Sequence, residues 1–170
     1  MKQLFHSIAV HKKKILWGVV GIVVALQFFR PERNLGNAAS QNDITHATLV
    51  PQEIQTILTA SCFDCHSDHT EYPVYTNIQP VGWWMADHII EAKKELNFSQ
   101  FNTYSIKRKI KKYREIEEQI VEGEMPLDSY LWIHGEAKLD PNQKKLMIDW
   151  AVENRMTLEK QYPDSIPKKR

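Results

Sequence analysis

Residues 61–68 read SCFDCHSD, and this stretch decides how the rest of the chain is interpreted. It contains the pattern C-x-x-C-H, and the chain has no cysteines besides these two. Two intervening residues set the thiols at the separation of the two vinyl groups on a porphyrin edge, and the adjacent histidine then lies under the ring centre, where it can ligate iron. The motif predicts one covalent haem c, attached through Cys62 and Cys65, with His66 as the proximal iron ligand.

Three other interpretations of the motif remain open. A thioredoxin-like redox pair needs a βαβ setting, and the sequence gives no sign of one. A structural zinc site needs four ligands, and adding His69 and His88 would give an unusual spacing. A plain disulfide would form in an oxidising compartment, but it would give His66 no role.

A sixth iron ligand is expected downstream of the motif, and Met125 is the preferred candidate. It lies in Gly-Glu-Met-Pro at residues 123–126, and the distal methionine of small cytochromes c comes from such a loop and raises the reduction potential. The competing interpretation is a core methionine that fills a gap. His88 and His134 are the next candidates, and either would give a bis-histidine iron with a lower potential.

Bulky side chains are also expected around the cofactor, because haem is a large apolar disc that a small domain must surround. Tyr72, Trp83 and Trp84 are predicted to line the haem pocket. Further aromatic candidates for the wall are Tyr75, Phe98 and Trp132. Their alternative role is the ordinary core, and the two roles overlap because haem is itself part of the core.

The first 30 residues are predicted to be an export signal or membrane anchor. Residues 15–29 read ILWGVVGIVVALQFF and follow the basic stretch HKKK at 11–14. This apolar run is shorter than the ~20 residues that comfortably span a bilayer, and it matches the apolar region of a signal. Bulky residues after the run argue against cleavage. Because positive charge stays on the cytoplasmic side, a single-pass inner-membrane anchor with a periplasmic domain is predicted.

Charge is distributed unevenly along the chain. The 22 basic and 21 acidic residues give a net charge of +1, but five of the basic residues and none of the acidic ones lie in residues 1–30. Residues 31–170 therefore carry a net charge of −4. Nucleic-acid-binding domains are usually basic, so no nucleic acid partner is expected. The expected partners are a redox protein and the membrane.

The rest of the chain is predicted to contain a flexible polar spacer over 31–48, a mostly helical haem-binding domain over 49–160 and a polar tail over 161–170. Apolar residues at helical spacing predict four main helices. They cover 51–61, 79–96, 105–122 and 140–156, with Leu146, Met147 and Trp150 facing inward in the last one. Strand-like alternation is absent, so the predicted fold is a small, mostly α, cytochrome c-like domain around one haem.

The third predicted helix has an unusual charge order, with a basic first half and an acidic second half. This order opposes the helix dipole, which favours acidic residues first. One interpretation is a solvated face with ion pairs four residues apart. The other is a docking patch for an acidic redox partner. The basic residues are Lys107, Arg108, Lys109, Lys111, Lys112 and Arg114.

Several segments beyond the motif resemble the haem-binding domain family of exported bacterial proteins. The similar segments are TEYP at 70–73, IQPVGWW at 78–84, LNFS at 96–99 and GEMPL at 123–127. The resemblance covers roughly residues 50–153. It implies haem c far more strongly than it implies any reaction.

The function predicted from these observations is that of a membrane-tethered monohaem c-type cytochrome, an electron carrier rather than an enzyme. The alternatives are a peroxidase-like haem enzyme and a haem-based sensor with an open distal site. A peroxidase needs polar groups poised over iron, and no His-Arg pair has a convincing spacing. A protein without haem and with a single disulfide is the remaining alternative.

Overall fold

The computed structural model describes residues 2–37 and 40–166, and this part of the chain is mostly helical, as predicted. The described part has no β-strand, and an isolated antiparallel bridge joins Leu35 and His69. The α-helices are α1 (Lys2–Leu26), α2 (Ile44–Ala47), α3 (Gln52–Ser61), α4 (Phe63–His66), α5 (Val81–Glu95), α6 (Ile106–Glu122), α7 (Asp128–Leu131) and α8 (Pro141–Gln161). Short 3-10 helices span Val74–Asn77, Phe98–Thr103, Gly135–Ala137 and Pro163–Ser165.

The chain divides into two compact units. One comprises residues 1–33 and 72–88, and the other comprises residues 34–71 and 89–170. The second unit contains the C-x-x-C-H motif together with α3, α6 and α8.

Aromatic packing between α6 and α8 forms the centre of the second unit's core. Tyr113 contacts Phe101 and Trp150 edge-on, with ring centroids 5.2 and 5.6 Å away. All three side chains are buried, and burial of each large apolar group contributes about 1.5–3 kcal/mol. Other core residues are Ile54, Ile57, Leu58, Leu96, Phe98, Ile116, Ile120, Leu139 and Met147.

Helix α6 confirms the predicted helix over 105–122 and shows how the sequence sets its ends. The Ser105 hydroxyl accepts a hydrogen bond from the Arg108 N–H at 3.3 Å and caps the first turn. Gly123 follows the last turn in the left-handed conformation, with φ of 78°, which a side chain would disfavour. The apolar positions Ile110 and Ile116 are buried as the periodicity predicts.

Helix α8 begins where the sequence predicts. The Asp140 carboxylate accepts from the backbone of Gln143, and the Gln143 side chain returns a bond to the Asp140 N–H, a complete capping box. Met147 and Trp150 are buried, but the prediction that Leu146 faces inward is wrong, because it is 39% exposed. Leu146 lies about 100° from Met147 around a helix with 3.6 residues per turn, which places it at the edge of the buried stripe.

Part of the predicted spacer contributes to the core. Ile44 in α2 is fully buried, and the Asp43 side chain caps this short helix by accepting from the Thr45 N–H at 2.9 Å. This helix could not be predicted from the sequence, because Ile44 is the one large apolar residue between positions 36 and 48.

The first unit is held by hydrogen bonds from the end of α1. Gln27, the polar residue within the apolar run, exchanges two bonds with Gln79: its amide donates to the Gln79 carbonyl at 3.2 Å, and its carbonyl accepts from the Gln79 N–H at 2.9 Å. The Trp83 indole donates to the Phe29 carbonyl at 2.6 Å. Residue 27 therefore has a structural reason to be polar.

Many large apolar side chains of α1 and the residues after it are exposed. Among the described residues, no helix is both long enough and apolar enough to cross a membrane. The anchor predicted for residues 1–30 gains no support from this finding and stays a prediction. The exposed side chains are Ile15, Leu16, Trp17, Val19, Val20, Ile22, Val23, Val24, Phe28 and Phe29.

Candidate functional site

The C-x-x-C-H motif occupies a helical corner between α3 and α4. Cys62 ends α3, and its N–H donates to the Leu58 carbonyl at 3.0 Å. Its own carbonyl accepts from the N–H of His66 at 2.9 Å, which places the two cysteines and the histidine within about one turn of helical backbone. Both cysteines are free thiols.

Burial keeps both thiols protonated at neutral pH. It raises the pKa of Cys62 to about 12, with a smaller contribution from the nearby Cys65. Burial also raises the pKa of Cys65 to about 11, with the Asp64 carboxylate adding to the effect. A thiol with so little thiolate is a poor redox nucleophile, which disfavours the thioredoxin-like interpretation.

One hydrogen bond fixes the tautomer of His66. Its Nδ1 lies 2.9 Å from the Leu96 carbonyl oxygen. Because a carbonyl can only accept, Nδ1 carries the proton, and Nε2 keeps its lone pair. Burial lowers the pKa of His66 and keeps the ring neutral, and Phe98 packs edge-on against it with centroids 6.2 Å apart.

A cavity of about 440 Å³ lies beside this histidine in the second unit. It brings together three of the predicted site residues, namely Cys62, His66 and Met125, whereas Cys65 is not among the residues that line it. The apolar lining consists of Leu96, Phe98, Ile116, Ile120, Pro126, Leu139 and Met147, and the polar lining of Ser61, Glu95, Lys112, Glu115, Glu118 and Gln119.

Met125 reaches the cavity because the chain folds back at the end of α6. After the left-handed Gly123, the backbone N–H groups of Glu124 and Met125 both donate to the Gln119 carbonyl, at 3.0 and 3.2 Å. The loop predicted from Gly-Glu-Met-Pro is therefore hydrogen-bonded to the helix that forms one wall.

Met147 is a second sulfur in the lining that the sequence did not identify as a site residue. It is 1% exposed and belongs to the core cluster. Its position in the middle of α8 predicted a core residue, and here the core and the cavity wall coincide. The cavity therefore offers two thioether groups.

Of the aromatic residues predicted to surround haem, Phe98 lines the cavity. Tyr72, Trp83 and Trp84 belong to the other unit, and the cavity lining comes from the second unit alone. Their role in a pocket stays a prediction. Trp132 is 82% exposed and lies outside the lining.

The histidines considered as alternative iron ligands have other partners. Nδ1 of His88 lies 2.8 Å from the Trp84 carbonyl, and the two rings are 4.3 Å apart. His134 stacks on Tyr130 with centroids 4.4 Å apart, and its Nδ1 lies 3.2 Å from a Glu136 carboxylate oxygen. Neither histidine lines the cavity.

A polar network that the sequence did not predict holds the segment after the motif against residues 96–100. The Asp68 carboxylate accepts from Asn97 at 2.8 Å and from Gln100 at 2.7 Å, and Lys93 lies 2.9 Å away. Burial alone would raise the pKa of Asp68, but these three donors outweigh it and leave the pKa below its ordinary value. The network fixes the segment that carries Leu96, the partner of His66.

The basic half of α6 is only partly the solvated face that its charge run suggests. Lys111 lies in solvent, and its Nζ pairs with a carboxylate oxygen of Glu115 at 3.1 Å, as expected for residues four positions apart. Lys112 departs from the expectation, because it is 5% exposed and lines the cavity. A charge run in the sequence does not reveal which of its members turns inward.

Comparison with known proteins gives one match. A family model described as a haem-binding domain matches residues 21–153. Searches of curated proteins and of solved structures give no match.

Proposed function

The chain belongs to the haem-binding domain family, and from that premise we propose that it is a monohaem c-type cytochrome. In this proposal Cys62 and Cys65 attach the haem, His66 is the proximal iron ligand and Met125 is the distal ligand. When bound, haem supplies an iron that takes up and releases one electron.

The residues of the cavity fit such a group. A volume of about 440 Å³ lies within the roughly 300–1,000 Å³ typical of small-molecule pockets. Most of the lining is apolar, as an apolar disc requires. The donor set of one imidazole and a thioether is the set that holds iron in cytochromes c.

His66 provides the observation that carries the proposal. Its Nδ1–H donates to the Leu96 carbonyl, which leaves Nε2 available to iron in a neutral ring. Histidine ligands of metals almost always donate their other N–H in this way, because the bond fixes the ring orientation and raises the basicity of the ligand. The same histidine lines a cavity with Cys62 and Met125.

The protonated thiols fit attachment by addition. The Cys62 and Cys65 thiols would each form one S–C bond to a vinyl carbon, and each thiol hydrogen would pass to the other carbon of that vinyl group. Both thiol hydrogens would stay in the product, so this addition would consume no oxidant. Both cysteines are partly buried and belong to the same short segment as His66, and Cys62 lines the cavity, which supports attachment near the proposed proximal ligand.

Electron transfer is the activity that the lining favours. Of the described residues that line the cavity, none is an arginine and His66 is the sole histidine, so the lining does not offer the distal His-Arg pair that the peroxidase-like alternative would use. Two methionines are available instead, and a thioether ligand closes the distal side and favours ferrous iron.

We place the domain outside the cytoplasm, tethered by residues 1–30 to the inner membrane, with a redox protein as partner. The basic stretch at 11–14 followed by the apolar run at 15–29 supports this proposal. So does the exposure of the large apolar side chains of that run, which water solvates poorly.

A reduced-minus-oxidised spectrum combined with an alkaline pyridine haemochrome tests the proposal. After co-expression with a haem c maturation system, we expect a c-type haemochrome at one haem per chain and a low-spin ferrous form that binds carbon monoxide poorly. A b-type haemochrome would contradict the covalent attachment. Ready binding of carbon monoxide would contradict the closed distal side and favour a sensor or an enzyme.

A further inference from the structure

The charged side chains in the described lining of the cavity, here called its rim, are three glutamates and one lysine. Among the described residues that line it, Lys112 is the only lysine or arginine, whereas Glu95, Glu115 and Glu118 are acidic. Lys112 is 5% exposed. Burying a charge is costly unless it is paired, so the position of this lysine needs a reason.

Ion pairing alone does not supply that reason. Nζ of Lys112 lies 2.6 Å from Glu115 and 3.3 Å from Glu95. The neighbouring Lys111 pairs with the same Glu115 at 3.1 Å while its side chain is 60% exposed. Lys111 can therefore balance the charge of Glu115 from an exposed position, so this carboxylate does not require a second, buried lysine.

Lys112 also has capacity for another acceptor. Its ammonium has three N–H donors, and the two carboxylates found among the described residues use two of them. Glu95 is a replaceable partner, because its side chain is 78% exposed and would be well solvated if it moved away. A carboxylate entering the cavity could thus take a place at this ammonium.

We propose that Lys112 binds a propionate carboxylate of haem at the rim of the cavity. This inference rests on the proposed function, because it requires haem in the cavity beside His66. The propionates are the anionic groups of an otherwise apolar disc. Three glutamates in the lining would repel them, so a cation is needed wherever a propionate reaches this rim. Lys112 is the cation that the lining provides.

A propionate-bound lysine would also affect the reduction potential. A cation held close to haem in a medium of low dielectric favours the ferrous state, because reduction adds one negative charge. Replacement of Lys112 by a neutral residue should therefore lower the potential. Lys111, which lies outside the cavity lining and in solvent, should have a much smaller effect because water and salt screen it.

The test compares Lys112→Met with the matched control Lys111→Met in the full-length, haem-loaded protein. The readouts are the propionate bending band in resonance Raman spectra and the reduction potential. We expect Lys112→Met to move the band to lower frequency and to lower the potential, and Lys111→Met to leave the band in place. An unchanged band in Lys112→Met, or equal shifts in both variants, would overturn the inference.

A second pair of variants covers the case in which Lys112→Met does not mature with haem. Lys112→Arg keeps the positive charge but changes the hydrogen-bond geometry, so the band should shift while the potential stays close to that of the wild type. Lys111→Arg should change neither. An unshifted band in Lys112→Arg would overturn the inference. A pyridine haemochrome of the wild type separates the two proposals, since absence of haem there defeats the proposed function itself.

Discussion

The hydrogen bond between His66 and Leu96 connects two residues that are 30 positions apart. The motif predicts His66 from local spacing, but nothing in the sequence identifies the carbonyl that accepts its proton, because every residue carries a carbonyl. The partner is set by the Asp68 network, in which Asn97 and Gln100 donate to Asp68 although they lie 29 and 32 positions away from it in the sequence. His66 could be predicted as a candidate ligand from the sequence, whereas the group that orients its ring could not.

Met125 is the residue at which a distal ligand can be tested. If its sulfur ligates iron, Met125→Ala should abolish the near-infrared sulfur-to-iron charge-transfer band of the oxidised protein. It should also lower the reduction potential, because a thioether favours ferrous iron more than water or imidazole does. Absorption spectroscopy and potentiometric titration measure both effects.

Met147 provides the control for this substitution, because it is the other thioether in the lining. Met147→Leu conserves volume and should cost less than about 1.5 kcal/mol of stability, and it should leave the band intact. A band that survives Met125→Ala and disappears in Met147→Leu would assign the ligand to α8 instead. Absence of the band from the oxidised wild type would direct attention to His88 and His134.

Helix α6 supplies the cavity with one wall, its buried lysine and the loop that carries Met125. Its end therefore matters for the site as well as for the fold. Gly123 has a φ of 78°, and a Cβ there would meet no atom within 4 Å. The expected cost of a side chain at this position is conformational, without a steric clash.

Gly123→Ala should lower the free energy of unfolding by about 1–2 kcal/mol, the cost of the left-handed conformation for a residue with a Cβ. Gly135→Ala is the matched control, because a Cβ there also meets nothing within 4 Å and the backbone does not have a positive φ. It should be neutral or slightly stabilising. Urea unfolding measures both, and equal effects of the two substitutions would refute the conformational explanation.

The main helices could be predicted from the sequence because their signals are local. Ser105 and Gly123 mark the ends of α6, and Asp140 with Gln143 forms the capping box of α8. The inward turn of Lys112 could not be predicted, because the cavity that it lines is built from segments distant in sequence, among them the end of α3, the loop with Met125 and α8. Sequence patterns identify which residues form a helix, but they do not identify which charge of a run a distant helix will cover.

At the scale of the whole molecule, the basic start of the chain contrasts with a net charge of −4 over residues 31–170. If Lys12, Lys13 and Lys14 set the topology, a periplasm-dependent reporter fused to the C-terminus should be active in the wild type. The reporter should lose activity when these three residues are changed to Glu, because the chain then lacks the positive charge that keeps this end in the cytoplasm.

The same change of charge at Lys168, Lys169 and Arg170 is the control, since these residues lie far from the apolar run in the sequence. It should leave the reporter active. A wild-type fusion that is active only with a cytoplasmic reporter would contradict both the topology and the proposed place of haem attachment. Fractionation of the wild type between membrane and soluble extracts then tests the tether separately.

Intact mass under denaturing conditions tests whether haem is covalently attached to the chain. The full-length protein, matured with a haem c assembly system, should have the mass of the polypeptide plus one haem. The variant with both Cys62→Ala and Cys65→Ala should have the mass of the polypeptide alone. A wild-type mass equal to the bare polypeptide, from cells in which a known c-type cytochrome is correctly matured, would contradict the account.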